Sequence, residues 1–229
     1  MIPIYLTCQL IEFILVVMTS KSKKLLYIPV SPTGSHSTSR RIADEFLANW
    51  TAANPEGVLV TRDLSKVEIP HLDIDAIYAK YTPEDQRSPS IAKKFATRME
   101  LIEEILGVDE VLISTPLWNW SIPSVLKAYI DQIVVTGVLD NSAPGLAGKK
   151  VTFVVAQGGS YKPGTPKAGW DFATGYLELF ARALGATDVK TILAEFTLAG
   201  VAAGMDFLKE AKAESIELAM AAAQARVAQ

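Results

Sequence analysis

Apolar positions fall along the chain in two alternating textures: short unbroken runs, and longer stretches with a period near that of a helix. The runs Leu25–Val30, Val58–Thr61, Glu110–Ser114, Lys150–Val155 and Val189–Phe196 are rich in β-branched residues and read as five strands. Between them the apolar residues recur every three or four positions. In 40–53 they are Ile42, Ala43, Phe46, Leu47 and Trp50, and Asn54-Pro-Glu-Gly57 ends the pattern. Residues 88–106 (Ile91, Phe95, Met99, Ile102, Ile105) and 121–135 (Val125, Leu126, Tyr129, Ile130, Val134) carry the same signature. So do 170–184, closed by Gly185, and the alanine-rich stretch 206–227. Residues 65–83 show no sustained period and are expected to form an irregular surface excursion.

Strands this apolar cannot leave a face in water, so the pattern predicts an α/β fold with a parallel sheet covered by helices on both faces. Five strands in a doubly wound sheet are most economically ordered 2-1-3-4-5. Right-handed crossovers then put a ligand crevice beyond the carboxyl ends of strands one and three.

The first 17 residues break the pattern. Ile2 to Val17 is nearly continuous apolar sequence interrupted by Gln9 and Glu12, and the basic cluster Lys21, Lys23 and Lys24 follows it. A signal peptide carries its positive charge before the apolar stretch, and a glutamate near the middle of a membrane span is costly. Met18-Thr-Ser-Lys reads like a natural start. Residues 1–23 are therefore expected to be an N-terminal extension, a possible start-site artefact, with an amphipathic surface anchor as the alternative; one domain spans 24–229, and no stable membrane insertion is expected.

Three turns after strands carry candidate chemistry. After strand one, Ser31-Pro-Thr-Gly-Ser-His-Ser-Thr-Ser39 is mostly hydroxyl residues and precedes a helix, where unpaired N–H groups and the helix dipole favour an anion. Ser31, Ser37, Thr38 and Ser39 add neutral donors, a chemistry suited to a phosphate monoester such as that of FMN. The Gly-Lys-Ser/Thr ending of nucleoside-triphosphate loops is missing, as is G-x-G-x-x-G. The plain alternative is a loop that only caps its helix through Ser37 or Ser39. His36 reads as a loop histidine near solvent.

After strand three, Pro116-Leu-Trp-Asn-Trp120 offers two indoles and an amide, a rigid apolar wall for a flat ring with Asn119 at its hydrogen-bonding edge. Tryptophans that merely fill a core or an interface are the alternative. After strand four, Ala156-Gln-Gly-Gly159 lets backbone N–H groups approach a ligand closely, or forms a plain turn.

Composition narrows the classes. A net charge of -3 over 229 residues leaves no footprint for nucleic acid. The single cysteine, Cys8, excludes an internal disulfide framework and a thiolate zinc site, and fits a reducing, cytoplasmic setting. Only His36 and His71 are present, so no histidine-rich metal site is expected, and there is no G-x-S-x-G elbow for a serine hydrolase. A non-catalytic electron carrier would be expected to be more acidic. An oligomeric interaction module with an aromatic interface is the non-enzymatic alternative.

At this point the chain resembles the FMN-dependent NADH:quinone oxidoreductase and azoreductase family, whose fold is flavodoxin-like. The resemblance rests on the order and spacing of Ser31-Pro-x-Gly-x-x-Ser-x-Ser39, Arg62-Asp-Leu64, Pro116-Leu-Trp-Asn-Trp120, Leu126-Lys-Ala-Tyr-Ile-Asp131, Gly148-Lys-Lys150, Gln157-Gly-Gly159 and Thr187-Asp-Val-Lys190. It implies that Ser31, Ser37, Thr38 and Ser39 hold the FMN phosphate, and that Pro116, Leu117, Trp118, Asn119 and Trp120 contact the ring. Ala156, Gln157, Gly158 and Gly159 would border its pyrimidine end. It further implies a homodimer and a ping-pong cycle in which NADH or NADPH reduces the flavin and a quinone or azo compound reoxidises it. The chemistry is borne by the flavin, so no side chain is singled out as catalytic. The sequence departs from relatives in having Trp118 and Trp120 where Tyr and Phe are common, and in the short segment 138–147, which lacks an aromatic residue.

Overall fold

The computed structural model describes residues 22–229; residues 1–21 of the expected extension lie outside the described residues. Five strands, β1 (Lys24–Pro29), β2 (Val58–Thr61), β3 (Glu110–Pro116), β4 (Lys150–Ala156) and β5 (Asp188–Ala194), form one sheet in the order β2-β1-β3-β4-β5. Every neighbouring pair is parallel. Around it lie α1 (Thr38–Ala53), α2 (Ile74–Tyr78), α3 (Pro89–Leu106), α4 (Ser124–Ile133), α5 (Thr174–Ala183) and α6 (Lys209–Val227).

Strand residues alternate between two cores, as the pleat requires. Leu26, Ile28, Ile113, Phe153 and Val155 meet buried residues of α3, α4 and α5, including Ile102, Tyr129 and Leu177. Leu25, Tyr27, Leu112, Val154 and Ile192 face the other way, against Ile42, Phe46 and Trp50 of α1 and Ala219 and Ala223 of α6. The alanines explain the composition of α6: small side chains let this helix sit close to the sheet and to α1.

Register fixes the functional rim. Pro29 stands beside Ser114, Pro116 beside Ala156, and Ala156 beside Ala194. The chain therefore leaves β1, β3, β4 and β5 along one edge, and the turns that follow are neighbours.

Helix starts differ from expectation for local reasons. Pro123 keeps Ile122 out of the helical region, so α4 opens at Ser124 rather than at 121. Gly169, at φ 81°, and a turn capped by Asp171 hold 170–173 out of α5. Residues 206–208 form a 3-10 turn before α6. The excursion 65–83 is not wholly irregular. It contains the one-turn α2, whose first turn is capped by the Asp73 carboxylate receiving the Ala76 N–H at 2.9 Å. The buried Arg98 of α3 anchors it, donating to the Ala76 carbonyl at 2.9 Å.

Candidate functional site

The turn after β1 is shaped by Gly34, whose φ of 57° lies in the left-handed region. A single 3-10 turn, Gly34–His36, then delivers the chain to Ser37, the N-cap of α1. Ser37 Oγ accepts the Arg40 N–H at 3.4 Å and stands 3.1 Å from Ser39 Oγ; Ser31 Oγ stands 3.0 Å from Thr33 Oγ1. The Thr38 and Ser39 N–H groups, at the open end of the helix, find no acceptor among the described residues. Capping and anion binding are thus compatible: Ser37 closes one N–H and leaves its neighbours open.

The turn after β3 is a tight two-residue reversal. Trp118 and Ser121 exchange N–H to carbonyl hydrogen bonds at 2.9 and 3.0 Å, and between them Asn119 and Trp120 both have positive φ, 48° and 65°. A left-handed tryptophan is strained by about 1 kcal/mol or more. Two contacts hold it. The Trp120 carbonyl accepts the Phe172 N–H at 2.9 Å, and its ring meets Trp170 edge to face, centroids 5.6 Å apart. Trp118, Asn119 and Trp120 are all exposed, so these indoles are not core residues.

After β4, Gln157 is almost fully buried. Its N–H bonds the Ala194 carbonyl, its own carbonyl receives Thr197, and its side-chain Nε2 donates to Asp171 at 2.6 Å. Gly158 and Gly159 follow with N–H groups that meet no acceptor among the described residues. A β-carbon on Gly158 would come within 2.7 Å of Leu198, whereas one on Gly159 would meet nothing within 4 Å. The close approach at Gly158 is therefore made by the Leu198 side chain, which a larger residue at 158 would have to displace.

These turns enclose two adjoining clefts. The first, of about 240 Å³, is lined by Ser31, Thr33, His36, Ser37 and Thr38 from the first turn, Pro116, Leu117 and Trp118 from the second, Ala156 and Gly158 from the third, and Thr197 and Leu198. The second, of about 320 Å³, shares Leu117, Trp118, Gly158 and Leu198 with it and adds Asn119, Trp120 and Tyr161. Burial raises the Tyr161 phenol above its usual range, so it stands there as a neutral hydroxyl. Below the rim, burial pushes Tyr27 up to about 12 despite its 3.0 Å hydrogen bond with Ser114.

Ten of the thirteen expected residues line one cleft or the other; Ser39, Gln157 and Gly159 do not. Ser39 is fully buried with its hydroxyl against Ser37, and the Gln157 side chain is turned onto Asp171. Sequence reasoning did not include Thr33, His36, Tyr161, Thr197 or Leu198. Thr197 was discoverable, since it follows the fifth strand at the same rim.

A parallel sheet in this order, with a hydroxyl-lined helix entry at its switch point, defines the flavodoxin-like class, and the family profile described as flavodoxin-like fold matches residues 23–225. An "FMN-dependent NADH:quinone oxidoreductase" of Frankia casuarinae is 45% identical over 83% of this chain and 94% of its own length. One of Frankia alni is 40% identical over 77% of this chain and 85% of its own length. Among solved structures, an azoreductase from Bacillus anthracis aligns with a TM-score of 0.79 at 25% identity, covering 90% of this chain and 98% of that one. The chain belongs to the FMN-dependent NADH:quinone oxidoreductase family, and it is an oxidoreductase.

Proposed function

We propose that the chain binds FMN across the two joined clefts and passes electrons from NADH, or NADPH, to a small aromatic acceptor, a quinone or an azo compound. The observation that carries this reading is the meeting of three donor-bearing turns at one rim, with the hydroxyls of the first and the indoles of the second on a continuous surface. The names of the relatives specify the same cofactor and donor.

The residues suit the group. The Thr38 N–H and the hydroxyls of Ser31, Ser37 and Thr38 would hold a phosphate without a cation. Ser39 acts behind them, through Ser37. Pro116, Leu117 and Trp118 supply a flat apolar wall, and Asn119 and Trp120 its outer edge. Ala156 and Gly158 would border the opposite end of the ring, and the unpaired N–H groups of Gly158 and Gly159 are donors that could meet negative charge developing there on reduction. Gln157 fixes the turn that presents them.

Bound there, FMN supplies two-electron chemistry, accepting hydride from a nicotinamide and releasing its electrons to an acceptor. Donor and acceptor then share one open face and must occupy it in turn, which gives ping-pong kinetics. The chain's own contribution is orientation and the exclusion of competing ligands.

Initial rates measured with NADH and a soluble quinone test this: double-reciprocal plots at several quinone concentrations should be parallel. Intersecting lines would replace the ping-pong cycle with a ternary complex, and no turnover would leave an electron carrier.

A homodimer completes the reading. Ile74, Ile77, Tyr78 and Tyr81 expose an apolar face on and beside α2, of the kind that associating proteins cover. Sedimentation should give twice the chain mass. A nicotinamide donor and a single cysteine both suit a reducing compartment such as the cytoplasm.

A further inference from the structure

Arg40 stands in the first turn of α1, where a cation meets the positive end of the helix dipole. Its guanidinium is nonetheless held there by five hydrogen bonds. Nε and Nη2 donate to the Ser31 carbonyl at 2.8 and 2.6 Å. Nη1 and Nη2 donate to the two Asp63 oxygens at 3.0 and 2.8 Å, and Nη2 reaches Ser65 Oγ at 2.9 Å. Asp63 Oδ1, the oxygen that Nη2 meets, also accepts the Ser65 N–H and hydroxyl at 3.0 and 2.7 Å, and the Lys66 ammonium lies 3.7 Å from Oδ2. Both side chains of the pair are nearly buried, at 14% and 12% exposure, and neither lines the clefts.

We propose that Arg40 is a positioning residue for the cofactor's phosphate, acting by geometry and not by charge; this rests on the FMN reading above. A carbonyl oxygen beside an anion site has the wrong sign. The fork of Arg40 engages the Ser31 carbonyl and fixes the residue where it lines the cleft. Asp63 holds the fork in place and cancels its charge. The phosphate site is thereby left to neutral donors, and its shape depends on a pair of residues that never touches the ligand.

The test uses the full chain stripped of flavin and titrated separately with FMN and riboflavin, following flavin fluorescence. The ratio of the two affinities isolates the phosphate, which a general loss of stability would not do. Wild type should prefer FMN. In Arg40→Met the preference should fall by about tenfold or more, the worth of one charged hydrogen bond, with riboflavin affinity changed less than about twofold. Asp63→Asn separates geometry from charge: losing the anchor should weaken FMN binding, whereas a freed cation acting by charge would tighten it.

An unchanged FMN-to-riboflavin ratio in Arg40→Met, or tighter FMN binding in Asp63→Asn, overturns the proposal. If Arg40→Met does not fold, as judged by circular dichroism, Asp63→Asn decides alone. A wild-type protein that binds neither flavin, or binds both equally, overturns the parent reading instead.

Discussion

Nε2 of Gln157 donates a 2.6 Å hydrogen bond to Oδ2 of Asp171, and the other oxygen of that carboxylate receives the Ala173 and Thr174 N–H groups, both at 2.9 Å, where the chain enters α5. One side chain thus joins the turn after β4 to the helix that follows it. Asp171→Ala removes both links at once. Its unfolding free energy should fall by about 1–2 kcal/mol, the usual worth of a helix cap. The freed Gln157 should also loosen the neighbouring glycine turn. Urea unfolding and an FMN titration on the same variant measure the two effects.

Arg98 makes a comparable link on the same face of the sheet. It is buried and donates to four carbonyls, those of Ala76, Asp131, Gln132 and Val134, closing the carboxyl end of α4 and anchoring α2. Arg98→Met keeps the stem and strands these acceptors. A loss of about 2–3 kcal/mol is expected, in line with charged hydrogen bonds removed from a buried site. Amide exchange should show the largest loss of protection in 74–78 and at the end of α4.

Trp120 separates stability from function. Trp120→Gly relieves the left-handed strain but forfeits the edge contact with Trp170, so the net change in stability should stay within about 1 kcal/mol. The wall of the second cleft is lost regardless. FMN affinity should therefore fall and the KM for the acceptor rise, as read by fluorescence titration and steady-state kinetics.

Acid should weaken the fold through Asp63. Burial alone would raise its carboxyl, but the Arg40 guanidinium and the Ser65 hydroxyl and N–H outweigh it and bring the value from 3.8 down to about 2. A carboxylate depressed on folding contributes stability above its unfolded value, and that contribution is lost as pH falls through the folded one. Urea midpoints measured from pH 5 to pH 2 should therefore drop below about pH 4, and Asp63→Asn should flatten part of that slope.

The sheet was legible because each strand is an apolar run bounded by turn residues, and the order 2-1-3-4-5 follows from winding rules that sequence does not need to spell out. Helix entries were less so: Pro123 and the capped turn at Asp171 are local overrides of an apolar period that continues past them. The five-residue α2 is too short to show periodicity and rests on one cap and Arg98. In the site, Ser31, Trp118 and Gly158 were readable from residue type and place. Leu198 was not, because its contact with Gly158 depends on how the turn after β5 folds back. The bond from the Gln157 side chain to Asp171 was hidden for the same reason, since Asp171 lies 14 residues further on.

The absorbance spectrum of the purified protein with FMN, taken before and after anaerobic NADH, tests the account most directly. Flavin bands that stay with the protein through gel filtration, bleach with NADH and return on adding a quinone are the predicted result. A protein that stays colourless after incubation with FMN would contradict it.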